Sequence, residues 1–452
     1  MMAARRIDMT DGPIIRKALI FALPIVLGNI LQQLYSTVDT LVVGNYCGAA
    51  SLAAVGTSAQ PIEMFLCLFM GMGNGISILI SQYTGGGDVP RRKLAIANAV
   101  TFLYLCAVPL TVGGFFLGPL LLKIMNVPPE AWDLAVSYVQ ILFLGTLGNL
   151  GYNVNAGILR GVGDSRATLN FLLISCVANI LLDLLFVVVF HMDVTGVAIA
   201  TALAMFLSWG ASILYIRRRH PDLELTLLPH TADKAMLKEI FRIGFPLGLN
   251  NSLYSVGHFV MQVLVNSQGV VFAAACSVGG KVNSIANVAI QAMSSSATAF
   301  SGQNLGAKRY DRLVRGAKRI PFFSGAITCA AGLLVTVFSG PIVRLFNDDP
   351  AVILMAQRYV QVVLPFCCVY AMFNSIISFC NGMGLLKYST TVNLVILWGV
   401  RIPLAVIIAL FLDGTWVMSA IPISFWFGLF LMLLFFRSHR WQEIRTLAKQ
   451  ME

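Results

Sequence analysis

Three carboxylates stand where hydrocarbon surroundings would forbid them. Asp39, Glu63 and Asp183 each fall inside a long apolar stretch, and placing an acid at the centre of a spanning helix costs at least about 2.5 kcal/mol. An acid kept at that cost is a candidate for binding and releasing a cation. Asn179 precedes Asp183 by four residues and so shares its helix face, while Gln32, Tyr35 and Asp39 form a second stripe at i, i+3 and i+7. Two carboxylates converging in a low dielectric would not both stay ionised, so such a pair can load and release H+ near neutral pH. The same oxygens, with Asn179 and Thr201, equally suit Na+ at Asp39 and Asp183. Both coupling ions stay open.

Composition describes the surroundings that must position these groups. Of 452 residues, 58% are hydrophobic and 11% charged, and mean hydropathy is +0.80, outside the range of a soluble domain. Spanning about 30 Å of hydrocarbon takes roughly 20 apolar residues. Such stretches lie near 18–43, 52–82, 95–119, 131–157, 168–190, 194–216, 240–266, 271–301, 317–339, 351–379, 389–411 and 415–436. The predicted fold class is an all-α membrane protein, with twelve transmembrane helices in two pseudo-symmetric six-helix bundles around a central cavity. At about 1.5 Å per residue, Asp39 lies about 31 Å from the start of its span and Asp183 about 22 Å from the inner end of its own. Thr201 is about 10 Å in from the outer end of the sixth span. All three fall in the outer half.

The chain repeats at a shift of 221 residues. Asn126, Pro129, Ala135 and Tyr138-Val139-Gln140 recur as Asn347, Pro350, Ala356 and Tyr359-Val360-Gln361. Gln82, Gly85, Asn153, Gly161 and Gly163 recur as Gln303, Gly306, Asn374, Gly382 and Gly384, and a one-residue gap brings Pro24 onto Pro246. So long a period indicates a duplicated half rather than a solenoid. Six spans per copy give both halves the same orientation, as in parallel repeats. The expected organisation is a bundle over 1–216, a cytoplasmic linker over 217–238, a second bundle over 239–437 and a tail over 438–452. The acids are not duplicated: Asp39 maps to Val260 or Met261, Glu63 to Ser284 and Asp183 to Leu404. The spans of the second half carry Lys281, Arg401 and His258 instead. Ion coupling is therefore expected in the N-terminal bundle.

Of the 31 Lys and Arg residues, 26 fall on segments that become cytoplasmic if both termini are inside, which is the bias expected of a multi-pass protein of a bacterial cytoplasmic membrane. The net charge of +11 is explained by that bias, so nucleic acid is not an expected partner. The first apolar stretch is too long for a cleaved signal. Nine cysteines show no metal spacing and read as buried filler. Neither HExxH nor GxSxG occurs in the spans, so the reading is no enzyme, no cofactor and no metal beyond a coupling ion. A channel would want a filter motif and would leave the acids unexplained. Membrane lipid and small lipophilic substrates are the expected partners of a monomer.

Further residues are candidates to line the cavity. Asn153 and Asn374 are polar amides at repeated positions, and Gln32, Tyr35, Glu63 and His258 add polar groups. Met64, Met261 and Met293 would supply an adaptable apolar wall, and Lys281 and Arg401 would suit an anionic group. Pro24 and Pro61 are candidate hinges, because helices in proteins tolerate proline where freed backbone groups find partners. Gly71, Gly73 and Gly75 read either as bending points or as sites of close packing.

Val38-Asp39-Thr40 after Pro24, the segment Leu159-Arg160-Gly161-Val162-Gly163-Asp164, and Asn179 ahead of Asp183 resemble the multidrug and toxin extrusion (MATE) transporters. The resemblance covers the whole chain. It implies a secondary antiporter exporting lipophilic, often cationic drugs or toxins in exchange for H+ or Na+, with the residues matching Asp39, Asn179, Asp183 and Thr201 forming a cation network. NorM-type members carry acids in the seventh and tenth spans. Here those neighbourhoods read Asn251-Ser252-Leu253-Tyr254-Ser255 and Cys368-Val369-Tyr370-Ala371-Met372, which makes the chain more similar to the DinF-like and MepA-like prokaryotic branch. The alternative is a flippase or exporter of a lipid-linked or anionic substrate on the same scaffold. It would want several convergent cations, for which only Lys281 and Arg401 qualify.

Overall fold

In hydrocarbon a backbone must satisfy its own N–H and C=O groups, which leaves an apolar segment little choice but a helix. A computed structural model of the chain describes residues 6–47, 49–124, 127, 129–346, 349–411 and 414–450, and each predicted span is helical in it. The first half contains α1 (Ile14–Val42), α2 (Ala49–Gly85), α3 (Val89–Ile124), α4 (Trp132–Leu144), α5 (Thr146–Gly161), α6 (Ser165–Asp183) and α7 (Asp193–Arg219). Helices α4 and α5 meet at 43° and together make one span. The second half contains α8 (Lys234–Ser267), α9 (Val270–Gly306), α10 (Tyr310–Val337), the short α11 (Ser339–Arg344), α12 (Pro350–Val363) and α13 (Cys367–Gly382). It continues with α14 (Leu386–Leu394), α15 (Ile402–Phe411), α16 (Ala420–Phe435) and α17 (His439–Lys449). Counting α12 with α13 and α14 with α15, each half has six spans.

Among the described residues, eight spans, or nine with the bent pair, are long and apolar enough to cross a membrane unaided. The other three are α2, of which several side chains lie outside the described residues, and α8 and α9, which carry Asn250, Asn251 and His258, and Asn283, Asn287 and Gln291, along their lengths. The opposite pattern marks α3. Leu105, Val108, Val112, Phe116 and Leu120, spaced by three or four residues, are each more than half exposed. A continuous apolar stripe of that kind suits lipid, not water.

By proximity the chain divides into two compact units, Met1–Ile7 with Leu23–Leu249 and Asp8–Ala22 with Asn250–Glu452. Helix α1 thus changes unit beside Pro24, and α8 does so just past Pro246, although both helices run unbroken through their prolines.

Within the first unit, α2 and the start of α8 approach each other glycine to glycine. A Cβ on Gly71 would stand 2.3 Å from Gly248 Cα, and one on Gly75 would stand 2.6 Å from Gly244 Cα. Small residues four apart on both partners let the backbones touch, which is how helices gain dispersion energy where the hydrophobic effect is absent. Gly73 faces α5 instead, against the Asn153 backbone. All three glycines therefore sit in close packing. Ile76, Leu79, Ile96, Val100, Ile158 and Leu159 form the buried core around them. In the second unit the start of α1 takes the matching place against α9, where Ser296 donates to Ala18 O at 3.0 Å.

Gly248→Val is expected to lower the thermal unfolding midpoint of the purified protein by the several degrees that about 1–3 kcal/mol of overpacking produces. Gly280→Ala, where a Cβ meets open space, should leave it nearly unchanged. Equal midpoints for the two variants would remove the glycine contact as a source of stability.

Candidate functional site

Two helices lose regular winding where the acids stand. Helix α6 ends at Asp183 and passes into a π-helical turn, Leu184–Val189, and α1 passes into another, Val43–Cys47, shortly after Asp39. Single π turns re-aim side chains and recur at functional positions. Here they follow the residues whose spacing predicted a shared site. Asn179 and Asp183 are both 0% exposed, and Asp39, Tyr35 and Thr201 are half-buried.

The Asn179 amide joins the acids. With its NH2 turned toward the carboxylates, it donates to Asp39 Oδ1 at 2.8 Å and to Asp183 Oδ2 at 3.0 Å. The amide oxygen then faces the Thr201 hydroxyl at 3.4 Å, and the Tyr35 hydroxyl donates to Thr201 Oγ1 at 3.4 Å. Asp39 and Asp183 also come within hydrogen-bonding reach of each other. Asp183 Oδ1 is buried with no hydrogen-bond partner among the described residues, and a buried polar atom left in that state asks for an explanation. A proton on one carboxyl, or a cation against it, supplies one.

The orientation of an amide is assigned from its neighbours, and at Asn179 the two orientations are two chemistries. NH2 toward the acids gives each carboxylate one donor, which suits a site closed by a proton. Carbonyl toward the acids gathers oxygens alone, a set that only a bound cation such as Na+ would hold together. The one side chain thus has an orientation suited to each ion.

Tyr138 on α4 is a neighbour that spacing did not single out. It lies within electrostatic range of both Asp39 and Asp183. Its signal was present in the duplicated Tyr-Val-Gln triplet, which served only to set the register of the repeat.

The remaining candidates are dispersed. Gln32 is exposed on α1. Asn153 donates to Asn149 O and Oδ1 at 2.9 and 2.8 Å, within its own helix, whereas Asn374 accepts from Ser294 at 3.1 Å. His258 is exposed and packs edge-on against Tyr254 at 4.8 Å. Met261 is half-buried and Met293 buried. Lys281 Nζ lies 6.0 Å over the Phe346 ring and Arg401 5.3 Å from the Phe425 ring, so the two cations face different partners. Pro24 is buried within α1. Pro61, Glu63 and Met64 lie on α2, with side chains outside the described residues.

The Arg160-Gly161-Val162-Gly163-Asp164 segment does structural work at one end of the first unit. Gly163 has φ +91°, a conformation that favours glycine, and a Cβ there would stand 2.4 Å from Ile7 O. The bare glycine lets Ile7 N–H donate to Gly163 O at 3.0 Å. Asp164 caps α6 through Ala167 N–H at 3.1 Å and accepts from Tyr215 at 2.9 Å. Arg6 Nε donates to His220 Nδ1 at 3.1 Å, so His220 Nε2 holds the ring proton and donates to Asp164 Oδ2 at 3.0 Å. Burial alone would raise the Asp164 pKa, yet the donors from His220, Ala167 and Tyr215 together hold it below the ordinary carboxylate value.

Comparison with known proteins decides the family. The family model described as MatE matches residues 24–185 and again 246–407. The chain belongs to the MatE family. It is 26% identical over 447 residues, 98% of this chain and 99% of the relative, to "Probable multidrug resistance protein YpnP" of Bacillus subtilis. It is 23% identical over 435 residues, 93% of each chain, to the "FAD transporter" of Shewanella oneidensis. The solved structure described as "Outward-facing conformation of a multidrug resistance MATE family transporter of the MOP superfamily" is similar with TM-score 0.91 and 21% identity, over 99% of this chain and 100% of that one.

As a MatE chain the protein is a multi-pass membrane transporter, not an enzyme. The family matches both halves, yet only the first holds the acids. The Gly-x-Gly turn is kept in both, since Gly384 has φ +79°, but the residue after it is Leu385 rather than an acid.

Asp164→Asn should destabilise the purified protein, because the buried carboxylate accepts from His220, Tyr215 and Ala167 and hydrogen bonds to a charged group are worth about 1.5–3 kcal/mol each. The sign follows from the depressed pKa: the contribution is complete above the unfolded value near pH 4 and is lost as pH falls through the folded value. The gap between the unfolding midpoints of the two proteins should therefore be full at pH 7 and shrink as pH falls from about 4 toward the lower folded value. A gap that does not change with pH would remove the ionised carboxylate as its cause.

Proposed function

We propose that this protein is a secondary active antiporter of the bacterial cytoplasmic membrane, exporting lipophilic, often cationic drugs or toxins in exchange for H+ or Na+. The observation that carries the reading is the single buried amide of Asn179 between Asp39 and Asp183, with one carboxylate oxygen left unpartnered. An ion arriving from outside removes the negative charge of the pair, and its release to the cytoplasm restores it. Neutralisation changes what Asn179 and Thr201 can donate to, and so how α1 packs on α6 and α7 near the acids. The names of the relatives support drug export. In this scheme the N-terminal bundle is the coupling half, the two bundles alternate in access, and no cofactor takes part.

Rhodamine 123 uptake into everted vesicles, driven separately by a pH gradient and by a Na+ gradient at clamped pH, tests this. Asp39→Asn and Asp183→Asn should each reduce gradient-driven uptake by about tenfold or more, a loss of about 1.4 kcal/mol in coupling. Asn179→Ala should reduce it less and shift its pH dependence. Undiminished uptake by a folded variant of either acid removes that acid from the coupling role, and the gradient that drives the wild type names the ion.

A further inference from the structure

The second unit carries a buried charge for which no acid among the described residues is a partner. Arg401 closes the π-helical turn Val395–Arg401 between α14 and α15 and is only 5% exposed. It stands about 22 Å along the span that begins at Leu386, well inside the hydrocarbon. An arginine cannot shed its proton there, and an intramembrane cation without a partner is costly enough to mark a ligand path.

The surroundings orient the guanidinium without pairing it. Its Nε donates to Ser424 Oγ at 2.9 Å, while the Ser424 hydroxyl donates to Ile421 O at 2.6 Å. The Phe425 ring lies 5.3 Å from the guanidinium carbon. No hydrogen bond or ion pair to a described residue engages the two terminal nitrogens. The described acids of this unit's helices are committed elsewhere: Asp311 pairs with Arg309 and Arg315 at 3.3 and 2.6 Å, Asp349 caps α12, and Glu443 on α17 lies 3.1 Å from His439. Asp348 and Asp413 lie outside the described residues. Aromatic rings complete the surroundings. Tyr370 packs 4.9 Å from Phe425, and its hydroxyl comes within hydrogen-bonding reach of Tyr254, which in turn contacts His258.

We infer that Arg401 binds the oxyanion of an exported amphiphile, a carboxylate or phosphate, whose apolar body lies on the adjacent rings. Terminal guanidinium nitrogens held in a fixed plane suit bidentate recognition of such a group, and Tyr370 and Phe425 supply faces for an aromatic or lipophilic body. The inference rests on the export activity proposed above and extends its substrates from cations to zwitterions and anions. Counting back by the 221-residue repeat brings Arg401 to Ile180, the residue after Asn179. The stretch that carries the amide between two acids in one half thus carries a fixed cation in the other.

The test uses the full-length protein in liposomes with rhodamine 110, which has a free carboxylate, rhodamine 123, its methyl ester, and a fluorescent phosphatidylglycerol. Arg401→Gln should cut rhodamine 110 export by about tenfold and abolish its thermal stabilisation of the protein, with rhodamine 123 export retained; Arg401→Lys should be intermediate. Arg401-dependent movement of phosphatidylglycerol in place of rhodamine 110 would locate the same oxyanion site on a lipid headgroup. Equal loss of both dyes in Arg401→Gln and Arg401→Lys, or no loss of either, overturns the inference. Gradient-driven export of rhodamine 123 by the wild type leaves the proposed function standing in that event, and its absence removes both.

Discussion

Hydrocarbon does not solvate a polar group, and that constraint organises this molecule from backbone to site. Each unpaired N–H or C=O would cost several kcal/mol in the bilayer, so the apolar stretches are helical. Side chains face the same demand. Thr, Ser and Asn residues on the spans return hydrogen bonds to carbonyls on their own helices, as Asn98 does to Leu94 O at 2.9 Å and Thr328 to Ser324 O at 2.8 Å. Groups that cannot be satisfied that way are the informative ones. Asp183 Oδ1 is one such group: among the described residues it is the buried carboxylate oxygen left without a hydrogen-bond partner, and so it is open to a proton or a cation.

The same constraint separates the two kinds of glycine. Gly71, Gly75, Gly244 and Gly248 are there because a Cβ would occupy the neighbouring backbone, and helix contact in lipid depends on such close approach. Gly163 and Gly384 are there because the chain reverses at positive φ. The first set holds α2 to the start of α8, and that contact lies on the stretch of α8 that belongs to the first unit. Packing of α8 beyond Leu249 belongs to the second. Helix α8 is nevertheless continuous through Pro246.

Much of this was legible in the chain. Span number and boundaries follow from length and hydropathy, and the four-residue interval from Asn179 to Asp183 fixes a common face. The bridge itself was not legible. Spacing showed that Asn179 accompanies Asp183, but not that one amide reaches Asp39 on another helix, because interhelical distance has no periodicity in sequence. The Arg-Gly-x-Gly-Asp segment was visible as a family signature, while its partners Ile7, Tyr215 and His220 are scattered along the chain and come together only by folding. Asn153 and Asn374 recur at the same register, yet one bonds within its own helix and the other accepts from α9. Repetition records ancestry and does not oblige the copies to keep one role.

That divergence has an energetic logic. An acid in the membrane can be made neutral by a proton, so its desolvation cost alternates with occupancy and can be coupled to an ion gradient. An arginine cannot, and its charge is present in every state of a cycle. A gradient can therefore do work on Asp39 and Asp183 but not on Arg401, whose electrostatic demand changes only when an anion arrives or leaves. The broken symmetry of the repeat thus puts titratable carboxylates in one half and a permanent cation in the other, two kinds of buried charge whose desolvation costs are relieved by different species.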